Sequence, residues 1–231
     1  MLRRFEIYSI RDGVPAEQVE RMVEAFERCG EFIPELHHSI VGRNLSDQPI
    51  HLAWEHSYDS PEAYQRYMIQ PYHANVLDRY LLNDSPERIV TDGILGDGAL
   101  VGYQCDAPTF YLGRGVKKVV LFGLGGSQTE VNAFIEDLRS LPMKDDTVTL
   151  SVVEPNTMGV AWFDGVTPIL PPSQWTHVWE AGFESLDTYH AYQGGDGRMA
   201  QAERNGWRTD SAVRHAVELH YTVSLENGGR Q

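Results

Sequence analysis

The sequence predicts an α+β protein built from two tandem copies of one half-domain, because blocks of residues recur later in the chain in the same order. The segment WEHSYDSPEAYQRY, from Trp54, aligns without gaps with WEAGFESLDTYHAY, from Trp179. Upstream, the pattern of EQVERMVEAFE from Glu17 recurs in TEVNAFIEDLR from Thr129. A repeated supersecondary unit determines the architecture before any single motif does.

A third block supports the repeat and locates an insertion. SIVGRN from Ser39 recurs as SVVEPN from Ser151, at a different offset from the tryptophan block. The difference between the two offsets predicts an insertion in the second half, TMGVAWFDGVTPILPPSQ, whose Pro and Gly content is typical of a long loop. The predicted organisation is an N-terminal domain over residues 1–95, a linker over 96–115 and a degenerate C-terminal domain over 116–225.

The first elements of each half follow from hydrophobic periodicity. RFEIYSI is apolar at alternate positions, which indicates a strand, and VPAEQVERMVEAFERC carries apolar residues at helical spacing. LHHSIVG and IHLAWEHSY are strand-like and flank the turn-rich segment NLSDQP. The first half therefore begins as strand, helix, strand, strand.

A second helix and a last strand complete the unit. DSPEAYQRYMIQPYH offers Asp59 or Ser60 as a helix cap and places Pro61 in the first turn. RIVTDGIL, over residues 88–95, is the predicted last strand. Two intertwined βαβ units of this order form a ferredoxin-like fold, an antiparallel sheet with helices on one face.

The second face of each sheet also needs a cover. Two such sheets packed face to face would protect each other, and one chain supplies both. We therefore expect two tandem ferredoxin-like half-domains that form an intramolecular dimeric α/β barrel.

Composition limits the partners. The chain is 42% hydrophobic and 23% charged, as is usual for globular proteins, and its formal charge of -14 disfavours nucleic acid and anionic membranes. Cys29 and Cys105 suggest neither a disulfide framework nor a cysteine zinc site. MLRRFEIYSIRDG lacks the apolar core of a signal peptide, and no apolar stretch is long enough to span a membrane. We expect a cytoplasmic protein.

One motif points to a known family. Tyr67, Pro71 and His73 in the run YMIQPYH resemble the Tyr-x-x-x-Pro-x-His signature of the dimeric α/β-barrel, or stress-responsive A/B barrel, family. The order of elements over residues 3–95 is also similar to that family. Members usually form the barrel as homodimers, so the resemblance implies that a tandem copy is an intramolecular pseudo-dimer.

The resemblance also implies a chemistry. The first half resembles the olivetolic acid cyclase branch of the family, which needs no metal or organic cofactor and in which the motif's Tyr and His act on the substrate. These roles map onto Tyr67 and His73, the predicted catalytic residues. The chain departs from that branch in Arg3 and Arg4, where the branch has a His in the first strand, and in Gln70, where it has a His before the Pro.

The residue types suit proton abstraction. A neutral imidazole at His73 is a suitable general base near pH 7, and the Tyr67 phenol could donate to a carbonyl or developing enolate. The plainer alternative is a helix-capping histidine beside a core tyrosine.

Aromatic residues predict the walls of a pocket. Trp54 and His56 share one face of the third strand, while His51 takes the other face. The aromatic surface favours a flat, aromatic or polyketide-like ligand, although a tryptophan stripe is also common in cores. The predicted substrate-binding residues are Arg4, His51, Trp54, His56, Tyr64 and Tyr72.

Histidines also raise a metal hypothesis. His37, His38, His51 and His56 lie on the second and third strands, and at most one from each strand could join His73 in a three-ligand site. The alternative is that these imidazoles are exposed or satisfied elsewhere. We expect no metal and no other cofactor.

The second half lacks the signature, since Arg198 aligns with His73 and Asp196 with Pro71. Arg198 and Tyr192 could bind a carboxylate in the second half. The plainer alternative is that Arg198 is simply solvated. We expect one working site per chain, in the N-terminal half.

The sequence is compatible with three functions. The leading hypothesis is a cofactor-independent lyase or cyclase that abstracts a proton from an aromatic or polyketide-like small molecule. The alternatives are a non-catalytic, stress-related protein that binds a small ligand, and a haem- or metal-dependent monooxygenase of the wider α/β-barrel group. A homodimer of the pseudo-dimeric chain is a further open expectation.

Overall fold

The fold is described from a computed structural model of the chain, which covers residues 1–45, 51–82, 84–91, 99–105, 114–157, 174–208 and 210–224. The chain divides into two compact units, with the division between the fourth and fifth strands. Most of the predicted 157–174 loop and of the NLSDQP turn lie outside the described residues.

The N-terminal unit has the predicted alternation of strands and helices. Its elements are β1 (Leu2–Tyr8), α1 (Ala16–Glu27), α2 (Cys29–Phe32), β2 (Leu36–Arg43), β3 (Leu52–Tyr58), α3 (Pro61–Met68), a π-helical turn (His73–Leu77), α4 (Asp78–Leu81) and β4 (Ala99–Gln104). The strands form one antiparallel sheet in the order β2-β3-β1-β4.

The C-terminal unit repeats this arrangement. Its elements are β5 (Arg114–Leu124), α5 (Gln128–Arg139), α6 (Leu141–Lys144), β6 (Leu150–Pro155), β7 (His177–Phe183), α7 (Leu186–Gly194), α8 (Arg198–Arg204) and β8 (Val213–Ser224). Its antiparallel sheet has the equivalent order β6-β7-β5-β8. The predicted α+β class, with two tandem ferredoxin-like half-domains, is confirmed, while the face-to-face packing of the two sheets stays a prediction.

The last strand of the first half differs from the prediction. Within residues 88–91, Val90 forms only an isolated bridge with Ile10, and residues 92–95 lie outside the described part of the chain. The strand that pairs with β1 is β4, which lies inside residues 96–115, the predicted linker. Ile89 and Val90 are buried in the core, and the bridge is flanked by backbone hydrogen bonds from the Arg11 amide to the Ile89 carbonyl and from the Thr91 amide to the Ser9 carbonyl.

The helix starts follow the sequence. Ser60 caps α3 by accepting a hydrogen bond from the Ala63 amide at 3.3 Å, and Pro61 is the first helical residue. Ser185 caps α7 in the same way in the second half. None of the helices in the described ranges is long and apolar enough to cross a membrane.

A buried tryptophan joins sheet and helix in each unit. Trp54 Nε1 donates to Ser39 Oγ at 2.8 Å, and this hydroxyl donates to the Phe26 carbonyl at 2.7 Å. In the second unit Trp179 Nε1 donates to Ser151 Oγ at 2.9 Å, which donates to the carbonyl of Leu138 at 2.6 Å. The repeat found in the sequence therefore preserves a hydrogen-bonded link between the first helix and the third strand of each half.

We expect Ser39→Ala to lower the free energy of unfolding by about 1–3 kcal/mol, because it leaves the buried Trp54 indole N–H without its acceptor. Chemical denaturation measures this loss. Ser211→Ala, which removes an exposed hydrogen bond to Glu130, should change stability by no more than about 0.5 kcal/mol. Equal effects of the two substitutions would show that the buried link contributes nothing.

Candidate functional site

The first strand of the N-terminal unit carries charged side chains into the core beneath the helices. Leu2, Arg4, Glu6 and Tyr8 alternate along β1 on the side of the sheet that packs against the helices. Arg4 and Glu6 are each only 2% exposed, and Arg4 Nη2 lies 3.1 Å from Glu6 Oε1. A buried ion pair is costly unless both charges find further partners.

Arg4 finds those partners in α3. Its Nη1 donates to the Tyr64 hydroxyl, and its guanidinium lies 4.7 Å from the centre of the Tyr64 ring. Burial alone would lower the pKa of Arg4, but Glu6 and the surrounding tyrosines outweigh this and raise the pKa above its ordinary value. Arg4 is therefore a permanent buried cation.

Glu6 is held from two further sides. The Tyr8 hydroxyl donates to Glu6 Oε2, and His56 Nε2 lies 3.3 Å from Glu6 Oε1. Burial alone would raise the pKa of Glu6, but Arg4 and His56 lower it to about 2. The carboxylate stays ionised at neutral pH.

His56 is a neutral link in this network. It is fully buried, stacks on Trp54 with 4.1 Å between ring centres, and its Nδ1 lies 2.6 Å from the Tyr58 hydroxyl. Burial lowers its pKa to about 4, although Glu6 opposes this. An imidazole so fully enclosed fixes the carboxylate and the Tyr58 hydroxyl in place.

His73 and Tyr67 meet above this network. Tyr67 lies in α3 and His73 in the π-helical turn, and their ring centres are 4.4 Å apart. The two side chains are 1% and 3% exposed. The predicted catalytic pair thus forms one buried contact. It lies where the chain turns after α3, which ends at Met68, before Pro71.

His73 carries an imidazole that is neutral at physiological pH. Burial, assisted by the Arg4 guanidinium, lowers its pKa to about 4. Its Nε2 lies 3.6 Å from Asp78 Oδ1, while Nδ1 is buried and has no hydrogen-bond partner among the described residues. Burial raises the pKa of Asp78 to about 6. One ring nitrogen therefore faces a carboxylate, and the Met68 backbone, which opposes the lowering of the pKa, lies close to the imidazole.

The structure brings together four of the predicted substrate-binding residues and leaves two apart. Arg4, Trp54, His56 and Tyr64 lie in the buried network. Tyr72 is outside it: its ring stacks on Phe32, with 4.4 Å between centres, and its hydroxyl donates to the Ala25 carbonyl at 3.2 Å. Trp54 contacts Ser39 and His56 in the core, which favours a structural role for this residue over the predicted role in a pocket wall.

His51 is also outside the network, at the surface. It precedes β3, and its Nδ1 accepts a hydrogen bond from the Ile10 amide at 2.9 Å. It lines a surface cleft of about 440 Å³ together with Arg11, Arg43 and neighbouring residues.

The histidines do not assemble a metal site. His37 pairs with Asp59 at 2.7 Å, and His38 lies 3.2 Å from Glu55, on the sheet face opposite to His56 and His73. Within the part of the chain that is described, no group of three His, Cys, Asp or Glu side chains is arranged to hold a metal ion.

Sequence reasoning missed part of the network. Glu6, Tyr8, Tyr58 and Asp78 contact Arg4, His56 or His73 directly or through one residue. The period-two alternation of Arg4, Glu6 and Tyr8 with apolar residues was an available signal, since it places two opposite charges on one strand face. Asp78 gave no comparable signal, because a helical turn of irregular pitch brings it to His73.

Comparison with known families supports the resemblance. Residues 2–94 match the family described as the stress responsive A/B barrel domain, so the similarity read from the YMIQPYH motif is confirmed for the N-terminal half. The C-terminal half lies outside this match. No curated protein is similar enough in sequence to count as a relative.

Solved structures share the fold along the whole chain. An anthrone oxidase-like protein is 14% identical, with 96% of this chain and 90% of that chain covered and a TM-score of 0.56. A proposed monooxygenase from Fusobacterium nucleatum is 7% identical, with coverages of 100% and 95% and a TM-score of 0.59. A chlorite dismutase mutant from Candidatus Nitrospira defluvii is 14% identical, with coverages of 96% and 91% and a TM-score of 0.53. At these identities the similarity is one of fold.

The buried histidines make stability depend on pH. Unfolded histidines take up protons as the pH falls through about 6.5, whereas folded His56, His73 and His220 resist protonation down to about 4. Stability is therefore lost as the pH falls through this window, and Asp78, with its raised pKa, offsets part of the loss. We expect about 4 kcal/mol less stability at pH 5 than at pH 7 by denaturant unfolding, and a smaller difference in His73→Asn. A pH-independent stability would contradict the neutral, buried imidazoles.

The Arg4–Glu6 pair should show strong coupling. Arg4→Met alone leaves the Glu6 carboxylate buried without its cation and should cost about 3–5 kcal/mol, whereas Arg4→Met combined with Glu6→Leu should recover much of that loss. Urea unfolding of the single and double variants measures the coupling. Additive losses would mean that the two side chains are independent.

Proposed function

We propose that the N-terminal half is a cofactor-independent lyase or cyclase that abstracts a proton next to a carbonyl group of an aromatic or polyketide-like small molecule. The observation that carries the proposal is the contact of neutral His73 with Tyr67, beside a buried permanent cation. A base, a phenol and a cation in one water-poor site are the groups that enolate formation requires.

His73 acts as the base in this proposal. The ring nitrogen that does not face Asp78 accepts the proton from the substrate carbon, and the electron pair of the broken C–H bond moves onto the carbonyl oxygen as an enolate. The Asp78 carboxylate, 3.6 Å from the other ring nitrogen, then stabilises the imidazolium. A pKa of about 4 makes the free imidazole a weak base, and the negative charge of the enolate raises its proton affinity as the transfer proceeds.

Arg4 and Tyr67 stabilise the developing oxyanion. Burial raises the pKa of Tyr67 well above its ordinary value, so the phenol remains a hydrogen-bond donor. Arg4 Nε is buried without a hydrogen-bond partner among the described residues and can serve as a second donor. Fixed donors in a buried site are worth far more than the same groups in water. The rings of Tyr58, Tyr64 and Tyr67, with centres 5.1–5.9 Å apart, supply apolar walls.

Ligand binding without turnover is the second candidate, and one observation favours it. General bases work best when their pKa lies near the working pH, and the pKa of His73 is about 4. If bound ligands do not raise it, the same donors bind a carbonyl compound without removing its proton.

A cytoplasmic location belongs to the same proposal. Cys29 is a buried free thiol, and burial raises its pKa to about 12, which makes it unreactive. Free thiols are the rule in a reducing compartment.

Hydrogen–deuterium exchange tests the proton transfer without knowledge of the natural substrate. Acetophenone is a suitable probe, because its methyl protons lie next to a carbonyl on an aromatic ring, and NMR in D2O follows their loss. The protein should accelerate the exchange, and His73→Asn and Tyr67→Phe should each reduce that acceleration about 100-fold.

The matched control is His190→Asn, which makes the same change at an exposed histidine of α7 and should leave the exchange rate unaltered. Thermal melts of each variant establish that it is folded. Exchange that persists undiminished in His73→Asn rules out the base. Saturable acetophenone binding without exchange in any variant supports the second candidate instead.

A further inference from the structure

The C-terminal half contains a buried cation at the position equivalent to Arg4. The register of the sheets aligns β5 with β1 and places Lys118 where Arg4 stands in the first half. Lys118 is 1% exposed, and its Nζ lies 2.7 Å from Glu203 Oε1 and 3.1 Å from Glu218 Oε2. The cation of the first site is therefore retained in the half that lacks the family signature.

An imidazole and a carboxylate also lie beside this cation, as His56 and Glu6 lie beside Arg4, but they are on a different strand. In the first half Arg4 pairs across the sheet with His56 on β3, whereas Lys118 pairs with Ala181 on β7 and with His220 on β8. The imidazole has thus moved to the other neighbouring strand.

The same exchange applies to the acid. The residue equivalent to Glu6 is Val120, and its partner on β8 is Glu218. The imidazole and the carboxylate therefore lie on different strands in the two halves, but at similar places around the cation. A core that had only to be packed could have replaced the cation together with its carboxylates by apolar residues at little cost.

Two tyrosines complete the correspondence. The gap-free alignment pairs Tyr64 with Tyr189 and Tyr67 with Tyr192. The Tyr189 hydroxyl lies 3.3 Å from Lys118 Nζ, as the Tyr64 hydroxyl contacts Arg4. The rings of Phe183, Tyr189, Tyr192 and His220 form the apolar wall, with successive ring centres 4.3–5.3 Å apart.

Unused polar atoms lie in this cluster. Tyr192 is 1% exposed and Glu203 4%, yet the Tyr192 hydroxyl and Glu203 Oε2 have no hydrogen-bond partner in the described part of the chain. Glu203 Oε1, in contrast, accepts hydrogen bonds from Lys118, Tyr189 and Gln193. Unpartnered buried groups are rare and costly in folded proteins, so a donor and an acceptor left over in one cluster point to a ligand.

The neighbouring backbone supports the arrangement. Trp207 is a bulky residue in the left-handed region, with φ of 64°, and its Nε1 donates to Glu218 Oε2 at 2.9 Å. The conformation is unfavourable for tryptophan. It places the indole where it fixes the Glu218 carboxylate beside Lys118.

The charges indicate the class of ligand. One ammonium faces two carboxylates, Glu203 and Glu218, and burial lowers the pKa of His220 to about 4, so the imidazole adds no positive charge. This balance disfavours an anionic ligand. A hydroxyl group can accept from the Tyr192 phenol and donate to Glu203 Oε2 at the same time, and an aromatic ring suits the wall.

We propose that the C-terminal half holds a second binding site, formed by Lys118, Tyr192, Glu203 and Glu218, for a neutral aromatic molecule that bears a hydroxyl group. The site is separate from the proton transfer proposed for the first half and does not depend on it. The two halves would then bind related rings through different polar groups.

Calorimetric titration of the full chain with phenol tests this site, with toluene as the matched ligand that lacks the hydroxyl. Phenol should bind saturably, and toluene at least ten-fold more weakly. Tyr192→Phe and Glu203→Gln should each weaken phenol binding at least ten-fold. Tyr80→Phe, the same change at a buried tyrosine of the first unit, should leave the affinity unchanged.

Tyr192→Phe keeps the test decisive even if Glu203→Gln fails to fold, because removal of an unpartnered buried hydroxyl should leave the melting temperature unchanged or raise it. Absence of saturable phenol binding, equal affinity for toluene, or unaltered affinity in Tyr192→Phe each overturns the proposal. Phenol binding that is lost in Tyr67→Phe and kept in Tyr192→Phe overturns it as well, since the ligand then occupies the first half.

Discussion

A cation is buried beneath the helices on the first strand of each half, and the polar groups of both cores are arranged around it. Transfer of a guanidinium or ammonium group out of water costs several kcal/mol, and only nearby carboxylates and hydroxyls can offset it. Around Arg4 these are Glu6 and Tyr64, and around Lys118 they are Glu203, Glu218 and Tyr189. Each cation thus dictates which polar groups must enter the core, and those groups form the candidate sites.

The fold could be predicted because its signals are local or repeated. Alternation identified the first strand, Ser60 with Pro61 marked the start of α3, and the recurrence of Trp54 and Ser39 as Trp179 and Ser151 revealed two equivalent units. The hydrogen bond from each tryptophan to its serine explains why these residues recur together. The last strand of the first half was predicted over residues 88–95, whereas the strand that pairs with β1 is β4. Ile89 and Val90 are buried, yet Val90 forms only an isolated bridge, and burial alone does not distinguish a bridge from a full strand.

The site was only half predictable. The motif located Tyr67 and His73, and the contact between their rings agrees with it. The contacts of His56 and His73 depend on cross-strand register and on a π-helical turn, and neither leaves a periodic pattern in the sequence. Such turns often occur at functional sites. The second cluster was hidden for a related reason: its acid and imidazole lie on β8, so a position-by-position alignment of the halves shows only Val120 and Ala181 where Glu6 and His56 stand.

Under the proposed function, the N-terminal network presents His73, Tyr67 and Arg4 to one carbonyl compound. A crystal structure of the protein soaked with acetophenone tests this most directly. We expect density between the helices and the sheet of the first half, with the carbonyl oxygen within hydrogen-bond distance of Arg4 or Tyr67 and the methyl carbon facing His73. Density only at the surface, or a ring bound with its carbonyl turned away from all three side chains, would contradict it.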